Sequence, residues 1–235
     1  MSLGNSQVSR FPNGVTNAAD NAIFADLSVP DVTKFHTYFN DFDVYTAGDW
    51  VVTETQAGAT QALTAGDGGL LLLTNSAAND DLVLLQKTPA AFTFTAGKKT
   101  FFSARLQVSD ATLSDLVVGL QVVDTTPLDV TDGVYFLKAS GAATVSLVCR
   151  KDASTGSVTA AAIGTVVSAT YMTFAFIYDG VDNIVYALDG VVLGSVPALA
   201  ATLPDTTCTV SVALQNGEAV AKTMTIDWLF AAKER

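Results

Sequence analysis

Apolar residues recur at every second position through much of this chain, and a period of two predicts strands. Between 171 and 196, Met172, Phe174, Phe176 and Tyr178 alternate with Thr173, Ala175 and Ile177 until Asp179-Gly180 interrupts the run. The alternation resumes at Ile184, Tyr186 and Leu188, and Asp189-Gly190 then forms a two-residue loop before Val191, Leu193 and Ser195. Asp-Gly between alternating apolar runs suits a type I′ turn, whose two central residues need positive φ. Three consecutive antiparallel strands are predicted here.

The same reading extends in both directions. Phe102, Ala104, Leu106 and Val108 alternate with Phe101, Ser103, Arg105 and Gln107, and Leu116, Val118, Leu120 and Val122 repeat the pattern, as central core strands do. Met224, Ile226, Trp228 and Phe230 are expected to face inward on a last strand. Shorter strands are predicted near 38–45, with an irregularity, and at 50–54, 70–74, 82–87, 133–137, 145–149 and 208–214, with a weak one before 163. Roughly 14 strands without a helical period predict an all-β sandwich over 36–235. Residues 1–35 have neither period, and Pro12-Asn13-Gly14 and Pro30-Asp31 read as turns. Two readings of this arm stand side by side: a disordered terminus, or a segment whose Phe11, Val15, Ile23, Phe24, Leu27 and Val29 order against a partner.

Composition narrows the class. Hydrophobic residues make up 49% of 235 and charged ones 15%, with a mean hydropathy of +0.38. Apolar runs such as Leu70-Leu71-Leu72-Leu73 nowhere exceed five residues, far short of the ~20 residues that span a bilayer; neither a membrane span nor a secretory signal is expected. Strands covered on both faces, by a second sheet or by neighbouring subunits, account for the apolar excess. The net charge is −11 and basic residues adjoin only in pairs such as Lys98-Lys99, with no basic stripe, which argues against nucleic acid as a partner. The two cysteines, Cys149 and Cys208, fall on apolar strand faces and are read as reduced core thiols.

Candidate chemistry is sparse. A retaining glycosidase needs two carboxylates about 5 Å apart, but Glu54, Glu218 and Glu234 are scattered. His36 has no evident Ser and Asp partners for a triad. Asp80, Asp81, Asp124, Asp129, Asp132, Asp179, Asp182 and Asp189 crowd turns, where hard oxygen ligands would suit Ca²⁺. Asp is also what turns select for their own backbone, and without an Asp-x-Asp-x-Asp loop the turn reading is preferred. No catalytic residue, metal or cofactor is assigned. Phe101 and Tyr135 are candidates for exposed rings that stack on a sugar.

The succession of strand, Tyr178-Asp179-Gly180, strand, Asp189-Gly190, strand resembles the laminin-G-like and legume-lectin-like superfamily. That resemblance implies a jelly-roll antiparallel β-sandwich of the concanavalin A type, with first and last strands adjacent in one sheet. A further resemblance rests on Ser9-Arg10-Phe11-Pro12-Asn13-Gly14-Val15-Thr16-Asn17-Ala18 and on the blocks 66–75, 97–136 and 215–235. These are similar to small virion proteins of tailed bacteriophages. The resemblance implies a head-decoration or cement protein, often trimeric, on the outer surface of the capsid. Its arm would grip the major capsid protein, with Arg10, Phe11, Pro12 and Val15 as contact candidates. A carbohydrate-binding adhesin module that takes surface glycans is the alternative.

Overall fold

The computed structural model describes residues 33–66, 68–153 and 157–235. These form fifteen strands: β1 (Phe35–Asn40), β2 (Trp50–Glu54), β3 (Thr60–Thr64), β4 (Leu70–Thr74), β5 (Leu82–Lys87), β6 (Thr100–Val108), β7 (Ser114–Gln121), β8 (Gly133–Lys138), β9 (Thr144–Arg150), β10 (Val158–Thr165), β11 (Met172–Tyr178), β12 (Asn183–Leu188), β13 (Val191–Pro197), β14 (Thr209–Asn216) and β15 (Thr223–Glu234). Two short 3₁₀ turns, Ala47–Asp49 and Pro127–Asp129, are the helical content of the described residues. One sheet runs β13-β12-β11-β6-β15-β4-β3, with β1 added beside β15; the other runs β10-β9-β8-β7-β14-β5-β2. All pairs are antiparallel, so the chain is an all-β sandwich of two sheets.

The strand alternation places the core where it was expected, except that Val122, expected to continue the inward face of β7, lies past its end and packs on the outer cluster with Tyr135. Phe102, Ala104, Leu106 and Val108 on β6, Leu116, Val118 and Leu120 on β7, Phe174 and Phe176 on β11, and Val210, Val212 and Leu214 on β14 all enter one inter-sheet cluster. Asp189 and Gly190 have φ of 49° and 76°, as the β12–β13 hairpin requires. β3 had no clear signal in the sequence. The first strand ends at Asn40, not near 45, because Phe42 turns the chain with φ 57° while its N–H donates to Asn40 Oδ1 at 2.8 Å.

β15 departs from strict alternation. Its register against β6 shifts between Ile226 and Trp228, leaving Asp227 as the extra residue of a bulge. Beyond it Leu229 and Ala231 enter the core, while Trp228 and Phe230 move to the outer face. The inward placement expected for Trp228 and Phe230 is therefore corrected: one inserted residue reverses every side chain that follows.

Both outer faces carry apolar clusters, which accounts for the high hydropathy. On one, Tyr135, Val117, Val148 and Ala213 pack with Val130 and Leu128 from the 122–132 loop. On the other, Phe35, Phe101, Ile177 and Ala232 pack with Phe230. Phe101 and Tyr135 are thus buried, contrary to the expectation that they are exposed, because neighbouring strands and a loop cover them.

Backbone packing is closest beside the Gly-rich turn into β4. A Cβ on Gly69 would lie 2.0 Å from the Phe42 carbonyl carbon and 2.2 Å from the Asp43 nitrogen. Phe42 stacks on Trp50 at 6.3 Å, so the clash moves a core ring as well. Gly69→Ala is expected to cost about 3 kcal/mol, read as a lower urea midpoint. An unchanged midpoint would contradict this close approach.

Candidate binding face

The outer face of the larger sheet carries a polar and aromatic group beside β15. The Arg105 guanidinium lies 4.4 Å from the centre of the Tyr171 ring and forms an ion pair with Asp227. Trp228 is directly across from Arg105 in the β15–β6 register. The bulge creates this arrangement by turning Asp227 and Trp228 toward Arg105. Further along, Phe230 meets Phe101 at 5.5 Å and Phe39 edge-on at 6.4 Å, and Phe39 is 59% exposed. Aromatic faces flanked by a guanidinium and a carboxylate suit stacking and hydrogen bonding to a polar ring. The sequence hinted at this group only through Asp227, a carboxylate inside an otherwise apolar run.

Catalytic residues are not gathered on this face among the described residues. Glu54 accepts from Gln61 Nε2 at 3.1 Å, Glu218 from Lys222 Nζ at 2.6 Å, and Glu234 from the Lys99 N–H at 2.6 Å. His36 points to the core side of β1, with its ring 5.5 Å from Phe92. Burial, with Lys233 and Arg235 nearby, lowers its pKa from the ordinary imidazole value. Cys149 and Cys208 are buried and unbridged, and burial pushes both thiols up to about 12, so neither supplies a thiolate. Arg10, Phe11, Pro12 and Val15 lie outside the described residues.

Half of the eight turn aspartates accept from backbone N–H groups. Asp179 Oδ1 accepts from the N–H groups of Val181, Asp182 and Asn183, Asp189 Oδ1 from Thr173, and Asp124 Oδ1 from Thr126. Asp81 accepts from the N–H groups of Gln56 and Ser76. Asp132 is not among them: its Oδ1 is buried with no hydrogen-bond partner.

Two lysines organise the 109–114 turn. Lys222 Nζ bonds Asp110 Oδ2 at 2.8 Å, and this bond, with the Leu113 and Thr112 N–H groups, holds the Asp110 carboxyl down at about 2. Lys138 is fully buried and donates to the carbonyls of Ala111, at 2.8 Å, and Ser114. Burial lowers its pKa from 10.5 to about 8, against the pull of Asp115 and Asp110. The folded pKa lies below the unfolded one, so between about 8 and 10.5 the unfolded chain holds the extra proton. Stability therefore gains from this group as pH rises through that window, by at most about 1.4 kcal/mol per pH unit. Relative to Lys138→Met, the urea midpoint is expected to climb above pH 8; parallel curves would show that Lys138 titrates as in the unfolded chain.

The two sheets and their connections define a jelly-roll β-sandwich of the concanavalin-like kind. No family model matches the chain, and no curated protein matches it significantly. Solved structures do. An endo-1,3-β-glucanase from Streptomyces sioyaensis is 14% identical over 87% of this chain and 98% of that one, with a TM-score of 0.62. A protein of unknown function from Shewanella oneidensis MR-1 is 14% identical over 86% and 87%, at 0.60. The carbohydrate recognition domain of Emp47p is 14% identical over 86% and 98%, at 0.58. At such identities the likeness is one of fold. This fold hosts glucanases and carbohydrate recognition domains alike.

Proposed function

We propose that this chain is a non-catalytic structural protein of a bacteriophage particle. It decorates the outer surface of the capsid and stabilises it by gripping the assembled major capsid protein lattice through its N-terminal arm, as a homo-oligomer, a trimer. The observation that carries this reading is the anchoring of the arm. β1 is paired with β15 from Phe35↔Glu234 to Asn40↔Leu229, and the Arg235 N–H donates to the Lys34 carbonyl at 2.8 Å. Tension on residues before 33 would fall on a six-pair ladder in shear, held in a sheet where β15 also pairs with β6 and β4. The sandwich can then remain rigid while the arm engages its partner. A protein that binds only the assembled lattice stabilises it by mass action, and linked copies add avidity without tight single contacts. No chemistry is required, which agrees with glutamates occupied in local bonds.

A second reading is favoured by one group of side chains. Arg105, Tyr171, Asp227 and Trp228 would suit a glycan on the outer face, making the chain an adhesin module of a tail or head fibre. The molar ratio of this chain to the major shell protein in purified virions separates the two. A near-equimolar ratio is expected for decoration. A small fraction of that, with glycan binding lost in Trp228→Ala, would favour the adhesin, and absence from particles would overturn both.

A further inference from the structure

Asp132, Asp152 and Asp205 come from three separate connections. Asp132 closes the loop that enters β8, Asp152 follows β9, and Asp205 lies in the link between β13 and β14. One carboxylate oxygen from each lies within 4.8 Å of the others. Backbone bonds set the first two: the Val122 N–H donates to the Asp132 carbonyl at 3.0 Å, and the Ala153 N–H to the Thr131 carbonyl at 2.9 Å. A group of acids on loops is unremarkable by itself. Here Asp132 is only 4% exposed, and its Oδ1 is buried without any hydrogen-bond donor. A carboxylate oxygen removed from water needs a donor or a cation.

Lys151 answers part of this need, with Nζ 2.5 Å from Asp205 Oδ2. Three carboxylates less one ammonium leave two negative charges, the charge of one divalent ion. All the ligand atoms are hard oxygens, which select Ca²⁺ or Mg²⁺ over softer metals. Oxygens at about 2.4 Å from a shared Ca²⁺ can lie up to about 4.8 Å apart, whereas Mg²⁺ demands a tighter octahedron at about 2.1 Å.

We infer that Asp132, Asp152 and Asp205 form a calcium site that ties three loops together at one end of the sandwich. Two of its ligands are exposed, so water completes the coordination shell and the affinity is that of a displayed module, with a Kd of about 10 µM to 1 mM. The site shares no residue with the Arg105 group, and it holds whichever function is correct.

The test is calorimetric titration of the full-length, EDTA-treated and dialysed protein with CaCl₂ and separately with MgCl₂, alongside thermal melts. Expected are Ca²⁺ heats with a single site, a Tm raised by several degrees at saturation, and much weaker Mg²⁺ binding. D132N is expected to abolish the response. D152N, at an exposed position outside the core, is expected to weaken it at least about tenfold. No heat and no Tm change at millimolar Ca²⁺, an equal response to Mg²⁺, or wild-type affinity in folded D152N would each overturn the assignment.

Discussion

A chain that begins at Thr33 is expected to melt within about 2 °C of the full-length protein and to remain in solution when assembled shells are pelleted. The full-length chain is expected to pellet with them. The first half of this expectation follows from the ladder: the truncation keeps Lys34, Phe35 and every β1–β15 pair. The second half follows from placing the grip in residues 1–32, with Arg10, Phe11, Pro12 and Val15 as contacts. Arg10→Ala and Phe11→Ala in the full chain are expected to weaken retention, and they serve if the truncated chain does not fold. Shell binding by the truncation would overturn the arm assignment alone. Failure of the full-length chain to pellet would remove the decoration reading itself.

Phe176→Ala is expected to be the most damaging core substitution. The ring is fully buried at the centre of the inter-sheet cluster, stacked on Phe102 at 5.5 Å, and within 6.1 Å of Phe136 and 6.5 Å of Phe94. Removing it forfeits the transfer free energy of the ring and leaves a cavity that flanking strands cannot close, at about 3–5 kcal/mol. At about 2–4 °C per kcal/mol for a domain of this size, Tm should fall by roughly 6–20 °C. Phe39→Ala, on the exposed rim, should change stability by less than about 0.5 kcal/mol. Equal effects of the two would contradict the inward direction of β11.

Concanavalin-like sandwiches position side chains on a rigid sheet, and the same scaffold supports glucanases and carbohydrate recognition domains. In this chain the prominent group on that sheet is an ion pair beside two aromatic rings. Asp227 in this group is ion-paired with Arg105.

Alternation and turn chemistry were enough to find the class of fold, the three-strand meander with its Asp189-Gly190 hairpin, and the inward residues of β6, β7, β11 and β14. Those features depend on neighbours one or two positions away, so the pattern carries them directly. The adjacency of β1 and β15, anticipated from the fold resemblance, is also present. Three features depended on contacts between distant segments. The bulge at Asp227 sent Trp228 and Phe230 outward, and apolar residues on both sides of the bulge hid that shift from a period-two reading. Loops and adjoining strands buried Tyr135 and Phe101, which alternation alone places on an outer face. Asp132, Asp152 and Asp205 met only because the two sheets bring the ends of three connections together. In the sequence Asp132 is one turn aspartate among many; its burial without a hydrogen-bond partner is a property of the assembled sandwich.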